Sequence, residues 1–205
     1  MRSVKKRNRH LILIRHGRPH IGVDAERRDP PLSALGQQQA ERVARRLVLE
    51  RVERVVTSPL QRARDTAQAT AKGLALPLET DDGLAEVDFS GSRYISIEAL
   101  RQQGGPAWQQ FLDDPVTTLG GDPEDFREAV LAGLERILCE DNVRKIAIFT
   151  HGLPINVALS HCLGHASLTR FAPHYCSITR LVGSSLDDLT VLSINETGHF
   201  DPEEL

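Results

Sequence analysis

The feature that most constrains the fold is the alternation of short apolar runs with amphipathic helical segments. The runs at 10–14 and 145–150 consist mainly of consecutive apolar residues, which is typical of strands buried on both faces of a parallel sheet. Repeated strand–helix units predict an α/β fold with a mostly parallel central sheet and helices on both faces. Further strands are predicted at 54–57, 77–80, 177–183 and 188–194, the last two as a hairpin, and helices at about 33–50, 58–73, 123–140 and 154–164.

Two of the helix starts carry capping signals. Ser33 is a predicted N-cap of the first helix. Ser58 is a predicted N-cap of the second helix, with Pro59 at its first position and Gln61 completing a capping box. Pro154 is predicted to lie near the start of the helix that follows the strand at 145–150.

Residues 82–122 interrupt the alternation with six glycines and two prolines. A long irregular stretch inside an α/β domain usually covers a functional site. The segment is therefore predicted to form an irregular, partly helical lid. The length of 205 residues fits a basic tail at 1–9 followed by a single domain at 10–200.

Composition argues against several classes of partner. The formal net charge of −3 provides no overall field to attract nucleic acid. We therefore expect no nucleic-acid partner. The apolar run after the basic tail is too short for an export signal or a membrane span, so we also expect no membrane partner. Three widely spaced cysteines (Cys139, Cys162 and Cys176) predict free thiols and a cytoplasmic location.

Two predicted strands end in the same dipeptide. The strand at 10–14 leads into Arg15-His16-Gly17, and the strand at 145–150 leads into His151-Gly152. Arg62 lies one turn into the helix that follows the strand ending at Thr57. Because the carboxyl ends of parallel strands share one edge of a sheet, we expect Arg15, His16, Arg62 and His151 to lie close together.

The chemistry of this set points to phosphate. Arginine presents a planar set of donors that matches phosphate oxygens, and a neutral histidine held in one tautomer is a competent nucleophile. The glycine after each histidine is expected to let the backbone approach a ligand. Hydrolysis also requires a proton donor for the leaving alcohol, and Glu86 is the first candidate, with Asp88 as the nearby rival.

Taken in order, these motifs resemble those of the histidine phosphatase superfamily, in its phosphoglycerate mutase-like branch. The resemblance covers residues 10–195. It implies a phosphohistidine at His16, phosphoryl binding by Arg15, Arg62 and His151, and proton transfer by Glu86. The matching segments are Arg15–Gly17, Asp29–Gly36 with Gln39-Ala40, Thr57–Ala63 with Thr66-Ala67, Leu84–Glu86 and Thr150–Gly152.

The sequence departs from the family pattern after the first motif. Many members carry a serine or threonine and an asparagine there, whereas residues 18–23 contain neither. Arg18 or His20 is a candidate for the missing phosphate contact. Arg93, in the altered stretch after Glu86, faces either the substrate or the solvent.

The resemblance implies a metal-independent enzyme without a cofactor. The spacing of His16 and His20 could suit a metal, but flanking arginines oppose a divalent cation. His161 and His165 flank Cys162 near a helix end, where histidine interacts favourably with the helix dipole. We therefore expect no metal site.

The predicted function is hydrolysis of a small phosphorylated metabolite. A phosphoglycerate-type phosphomutase and a non-catalytic module that binds a phosphorylated ligand are the alternatives. An exposed sheet edge could also support a homodimer.

Overall fold

A computed structural model describes residues 7–20, 29–89, 94–139 and 143–201, and within these ranges six strands form a single sheet. The strands are β1 Arg9–Arg15, β2 Arg54–Thr57, β3 Leu78–Thr80, β4 Lys145–Thr150, β5 Ile178–Gly183 and β6 Thr190–Glu196. Their order across the sheet is β3-β2-β4-β1-β5-β6.

Strand directions divide the sheet into two parts. The pairs β1–β4, β2–β4 and β2–β3 are parallel. In contrast, β5 runs antiparallel to β1 and pairs with β6 in the predicted hairpin. The prediction of a mostly parallel sheet is confirmed, and the parallel part places the ends of β1, β2 and β4 at one edge.

Helices cover both faces of the sheet, as predicted. Alternate residues of β1 point to opposite faces. Leu11 and Leu13 pack in a core with α6 and α7, while Ile12 and Ile14 pack in a second core with α1 and α2. The α-helices in the described ranges are α1 Ala34–Leu49, α2 Gln61–Leu74, α3 Ile97–Gln103, α4 Gly105–Asp113, α5 Pro115–Thr118, α6 Pro123–Leu138 and α7 Gly152–Leu163.

The segment at 82–122 is more helical than expected. Its described part holds two 3₁₀ turns, at Asp82–Leu84 and Val87–Phe89, followed by the short helices α3, α4 and α5. Val87 and Val116 pack against Leu153 near the start of α7. This contact holds the segment next to the carboxyl edge of the sheet.

The predicted start of the second helix needs correction. The side chain of Ser33 caps α1 as predicted, with Oγ 3.0 Å from the amide of Gly36. Ser58 does not cap α2, which begins at Gln61, and the Gln61 amide donates instead to Asp29 at 2.7 Å. Helix α7 begins at Gly152, two residues before Pro154 and close to its predicted start.

No helix within the described residues is long and apolar enough to span a bilayer.

Candidate active site

The structure brings the five predicted site residues together at the carboxyl edge of the sheet. Arg15 ends β1, His16 follows it, and the ring centroid of His151 after β4 lies 5.0 Å from that of His16. Arg62 and Glu86 line the same small pocket as Arg15 and His16. All five side chains belong to buried residues. Asp88, Tyr94, Ile95, Ile97 and Leu119 complete the described wall of this pocket, here called the reactive pocket.

His16 is held in one tautomer. Its Nδ1 lies 2.8 Å from the carbonyl oxygen of Gly17. A carbonyl oxygen only accepts, so Nδ1 carries the proton and Nε2 carries the lone pair. Burial, followed by the positive charges of Arg62 and Arg15, holds the pKa of His16 well below its usual value. The ring is therefore neutral at pH 7, as a nucleophile must be.

The glycines that follow the two histidines have different surroundings. A Cβ on Gly17 would lie 2.6 Å from the carbonyl oxygen of Gly36, and a Cβ on Gly36 would lie 2.1 Å from that of Arg18. These glycines let the His16 loop pack against the start of α1. A Cβ on Gly152 would meet no described atom within 4 Å.

Helix α2 holds the same loop from the other side. Thr66 Oγ1 accepts a 2.9 Å hydrogen bond from the amide of Gly17 and donates to the carbonyl of Arg62 at 2.6 Å. One hydroxyl therefore joins the loop carrying His16 to the turn carrying Arg62.

Arg62 is almost completely buried, with a side chain that is 1% exposed. Its Nη2 donates to both oxygens of Asp88, at 2.8 and 3.0 Å, and Nη1 lies 3.5 Å from Asp29. Its Nε has no hydrogen-bond partner among the described residues. Burial raises the pKa of Asp88, against the lowering effect of Arg62.

Arg15 is positioned by groups that the sequence did not indicate. Nη1 donates to the carbonyl of Pro173 at 2.8 Å, and Nη2 donates to Glu98 at 2.7 Å. The guanidinium carbon lies 4.1 Å from the centroid of the Tyr175 ring, in cation–π contact. Its Nε also has no partner within the described part of the chain.

His151 contacts a second residue that was not predicted at the site. Its Nε2 lies 2.7 Å from the hydroxyl of Ser58, while Nδ1 is buried without a partner among the described atoms. Burial, then the charges of Arg62, His16 and Arg15, lowers the pKa of His151 well below its usual value. The residue expected to cap α2 thus contacts the second histidine instead.

Glu86 belongs to the lid segment and contacts the start of α7. Its Oε1 accepts from the amide of Val87 at 3.1 Å, and its Oε2 accepts from the amide of Leu153 at 3.2 Å. Burial, helped by the charge of Asp88, raises the pKa of Glu86 to about 7. The carboxyl group is therefore able to both donate and accept a proton at neutral pH.

The candidates for the missing family contact lie elsewhere. Arg18 and His20 are exposed, and neither is among the described residues that line the reactive pocket. The Arg18 backbone binds Gln39 and Ser33, which are part of the contact between this loop and α1. Residues 21–23 and Arg93 lie outside the described residues.

None of the other histidines or the cysteines is among the described residues that line the reactive pocket. His161 contacts the carbonyl of Leu186 at 3.0 Å, and the ring of His165 packs against Phe171. No group of three or more His, Cys, Asp or Glu residues suited to a metal ion was found in the described ranges. Cys139, Cys162 and Cys176 are free thiols.

Comparison with known proteins identifies the family of this chain. Residues 11–197 match the family model of the histidine phosphatase superfamily (branch 1). The chain therefore belongs to that superfamily.

Curated relatives of this chain include a mycobacterial protein and an enterobacterial one. The chain is 28% identical over 197 residues to the "Bifunctional protein Rv2228c" of Mycobacterium tuberculosis (strain H37Rv), covering 92% of this chain and 54% of that protein. It is 29% identical over 182 residues to the "Probable phosphoglycerate mutase GpmB" of Yersinia enterocolitica, covering 83% of each. The chain thus spans about half the length of the first relatives it matches.

Solved structures share the fold. A mycobacterial glucosyl-3-phosphoglycerate phosphatase superposes with a TM-score of 0.74 at 20% identity, over 93% of this chain and 100% of that one. The phosphoserine phosphatase of Entamoeba histolytica superposes with a TM-score of 0.73 at 23% identity, over 93% and 98% of the two chains.

Proposed function

We propose that this chain is a phosphomonoesterase of small phosphorylated metabolites that forms a covalent phosphohistidine at Nε2 of His16. The observation that carries the proposal is the bond from His16 Nδ1 to the Gly17 carbonyl. That bond leaves the lone pair on Nε2. The ring is buried and its pKa is lowered, so Nε2 stays unprotonated. A neutral imidazole in one tautomer is poised for attack on phosphorus.

The phosphoryl oxygens would bind between the two arginines and His151. Nε of Arg15, Nε of Arg62 and Nδ1 of His151 are buried groups that lack partners among the described residues. Buried polar groups are normally hydrogen-bonded, so these three atoms favour a ligand rich in acceptor oxygens. If the Ser58 hydroxyl donates to Nε2 of His151, Nδ1 carries a proton that can be given to a phosphoryl oxygen.

In the first step, Nε2 of His16 attacks phosphorus and the bond from phosphorus to the ester oxygen breaks. The protonated carboxyl of Glu86 donates its proton to the departing oxygen, which leaves as an alcohol. A pKa of about 7 suits this role, because the group is partly protonated at neutral pH. Charge developing on the phosphoryl oxygens is stabilised by Arg15 and Arg62.

In the second step, the Glu86 carboxylate takes a proton from water as the water oxygen attacks phosphorus. The bond from phosphorus to nitrogen breaks, inorganic phosphate leaves, and His16 returns to its neutral state. Asp88, the rival acid, is engaged with Arg62 through both oxygens. We therefore assign Asp88 to positioning of Arg62 and Glu86 to proton transfer.

Trapping of the intermediate tests the proposal. Incubation with a ³²P-labelled phosphate ester, followed by rapid alkaline quench, should leave acid-labile label on the wild-type chain. The His16→Ala variant should carry no label and release no phosphate, while remaining folded by circular dichroism. Label retained in His16→Ala would contradict the assignment of the nucleophile. Turnover should persist with a chelator present, since no step uses a metal ion.

A phosphomutase is the second candidate, favoured by the names of the GpmB relatives. Both activities share the phosphohistidine, so they differ in the fate of the phosphoryl group. Rapid interconversion of 3- and 2-phosphoglycerate, primed with bisphosphoglycerate and with little free phosphate, would favour the mutase. Tight ester binding without turnover across a broad panel of esters would favour a non-catalytic sensor.

We also infer a cytoplasmic location from the free thiols of Cys139, Cys162 and Cys176. Of the described strands, β6 lies at one edge of the sheet and could pair with a second copy. Light scattering of the purified chain distinguishes a homodimer from a monomer.

A further inference from the structure

Two cavities adjoin the reactive pocket in the described part of the molecule. The first, of about 340 Å³, shares Arg15 and Ile97 with the pocket wall. The second, of about 360 Å³, shares Glu86. Each is large enough to hold part of a small ligand. The alcohol portion of a phosphate ester bound at His16 could extend into either one.

Charge distinguishes the two cavities. The cavity beside Glu86 is lined by three further carboxylates, from Asp82, Asp122 and Asp125. These acids repel a phosphate ester, which carries two negative charges near neutral pH. The cavity beside Arg15 also contains Arg101, and Glu98 is its only carboxylate among the described lining residues. The ester therefore extends more favourably on the Arg15 side.

Most of the wall of the cavity beside Arg15 is apolar, so this cavity is here called the apolar cavity. Trp108 and Phe111 stack with ring centroids 5.4 Å apart and planes inclined by 15°. Such a wall offers a flat apolar surface to another ring. The apolar side chains of this wall include Ile97, Trp108, Phe111, Leu112, Leu168 and Phe171.

The two uncharged polar side chains that line the apolar cavity, Asn156 and Thr169, already have hydrogen-bond partners within the protein. Asn156 donates both amide protons, to the carbonyls of Gly152 and Phe171, and its oxygen accepts from the amide of Phe171. Thr169 donates its hydroxyl proton to the carbonyl of Leu112 at 3.0 Å. A sugar or glycerate placed here would bury hydroxyls against carbon surface, which costs binding free energy.

We propose that the preferred substrate is a phosphate monoester whose alcohol portion carries an apolar ring that occupies the apolar cavity. This inference rests on the proposed function, because it takes the reactive pocket to be the site of the phosphoryl group. It differs from the polar compounds in the names of the structural neighbours, glucosyl-3-phosphoglycerate and phosphoserine.

Binding of non-hydrolysable phosphonates tests the apolar cavity without requiring turnover. 3-Phenylpropylphosphonate and propylphosphonate have the same charged group and differ by one ring. Calorimetry on the full chain should give a Kd roughly 10- to 100-fold lower for the phenyl compound, the range expected for burying an aromatic side chain. 3,4-Dihydroxybutylphosphonate should bind no tighter than propylphosphonate.

A matched pair of variants locates the effect. Leu168 lines the apolar cavity and is half-buried, whereas Leu192 on β6 is 54% exposed and lies outside the cavity. Leu168→Gln should reduce the phenyl preference to about threefold or less, since the ring then meets a polar amide. Leu192→Gln should keep the full preference. If Leu168→Gln fails to fold, Ala172→Trp at the cavity wall should reduce the preference by filling the space.

The outcomes separate this inference from the proposed function. Equal affinity of the wild type for the phenyl and propyl compounds overturns the inference, whether or not esters are hydrolysed. An equal loss of preference in Leu168→Gln and Leu192→Gln overturns it as well. Absence of both hydrolysis and phosphohistidine overturns the catalytic proposal. The hydrolysis and labelling assays do not depend on the ratio of the phosphonate Kd values.

Discussion

Glu98 accepts a 2.7 Å hydrogen bond from Nη2 of Arg15, joining the first helix of the lid segment to the residue before the proposed nucleophile. The Glu98 carboxylate thereby neutralises part of the positive charge of Arg15, which would otherwise attract a phosphate dianion. The Glu98 side chain remains 44% exposed, so solvent weakens the pair. A bound phosphate and Glu98 are consequently competitors for Arg15.

Removal of the Glu98 charge should tighten phosphate binding. In Glu98→Gln the amide keeps a hydrogen bond to Arg15 but no longer repels a dianion. A carboxylate and a phosphate about 5 Å apart in a partly solvated site interact by roughly 1–3 kcal/mol, so the inhibition constant for inorganic phosphate should fall about 5- to 150-fold. Competitive inhibition assays measure it, with Glu128→Gln on α6 as the exposed control. A weaker inhibition by phosphate in Glu98→Gln would instead assign Glu98 to holding Arg15 in place.

Glu86 should dominate the response to leaving-group quality. A poor leaving group needs a proton, whereas 4-nitrophenolate departs without one. Glu86→Gln should therefore reduce kcat for an alkyl phosphate about 10²- to 10⁴-fold and kcat for 4-nitrophenyl phosphate much less. Equal losses for both substrates would point to another acid, with Asp88 the first to examine.

The pH dependence follows from the same carboxyl group. With an alkyl phosphate, kcat should fall as the pH rises through about 7, because the acid form of Glu86 is then lost. The Glu86→Gln variant should lose this decline while retaining its low residual rate. A wild-type profile that stays flat from pH 6 to pH 9 would exclude Glu86 as the acid in the rate-limiting step.

Much of the site was predictable from topology. His16, His151 and Arg62 follow strands β1, β4 and β2, which are parallel neighbours in the sheet. Parallel neighbours deliver their carboxyl ends to one edge, so strand prediction alone brings these residues together. The hairpin of β5 and β6 was likewise readable from two apolar runs separated by a polar turn.

The remaining site residues depend on contacts between distant segments. Glu98 meets Arg15 across 83 positions, and Ser58 meets His151 across 93. Local sequence patterns suggest other roles for these residues, and for Ser58 they suggest a helix cap. The cap prediction was wrong because Asp29, from a distant loop, binds the first amide of α2 and leaves the Ser58 hydroxyl to His151.

Burial of Glu86 should also appear in stability. Its pKa rises from 4.5 in the unfolded chain to about 7 in the folded protein. The folded state therefore binds more protons between these values, and the free energy of unfolding declines as the pH rises from about 4.5 to 7. Burial of the ionised group costs about 3–3.5 kcal/mol at pH 8.

Glu86→Gln, which cannot ionise, should therefore be more stable than wild type at pH 8 and nearly equal to it at pH 5. Urea unfolding at the two pH values measures the difference. Glu128→Gln, on the surface of α6, should change little at either pH. A Glu86→Gln variant that is destabilised more at pH 8 than at pH 5 would contradict the raised pKa.

Two glycines near the proposed catalytic histidines, Gly36 and Gly152, have opposite surroundings. A Cβ on Gly36 would lie 2.1 Å from the Arg18 carbonyl oxygen and 2.9 Å from its amide nitrogen, so backbone must move. A Cβ on Gly152 would meet no described atom within 4 Å, and alanine is the better helix former. Gly36→Ala should lower the free energy of unfolding by about 2–4 kcal/mol, and Gly152→Ala should change it by less than about 1 kcal/mol. Because the displaced backbone leads directly to His16, Gly36→Ala should also lose most phosphohistidine formation at a temperature where it remains folded. Equal stability of the two variants would show that the close packing of Gly36 against the Arg18 backbone does not hold the loop.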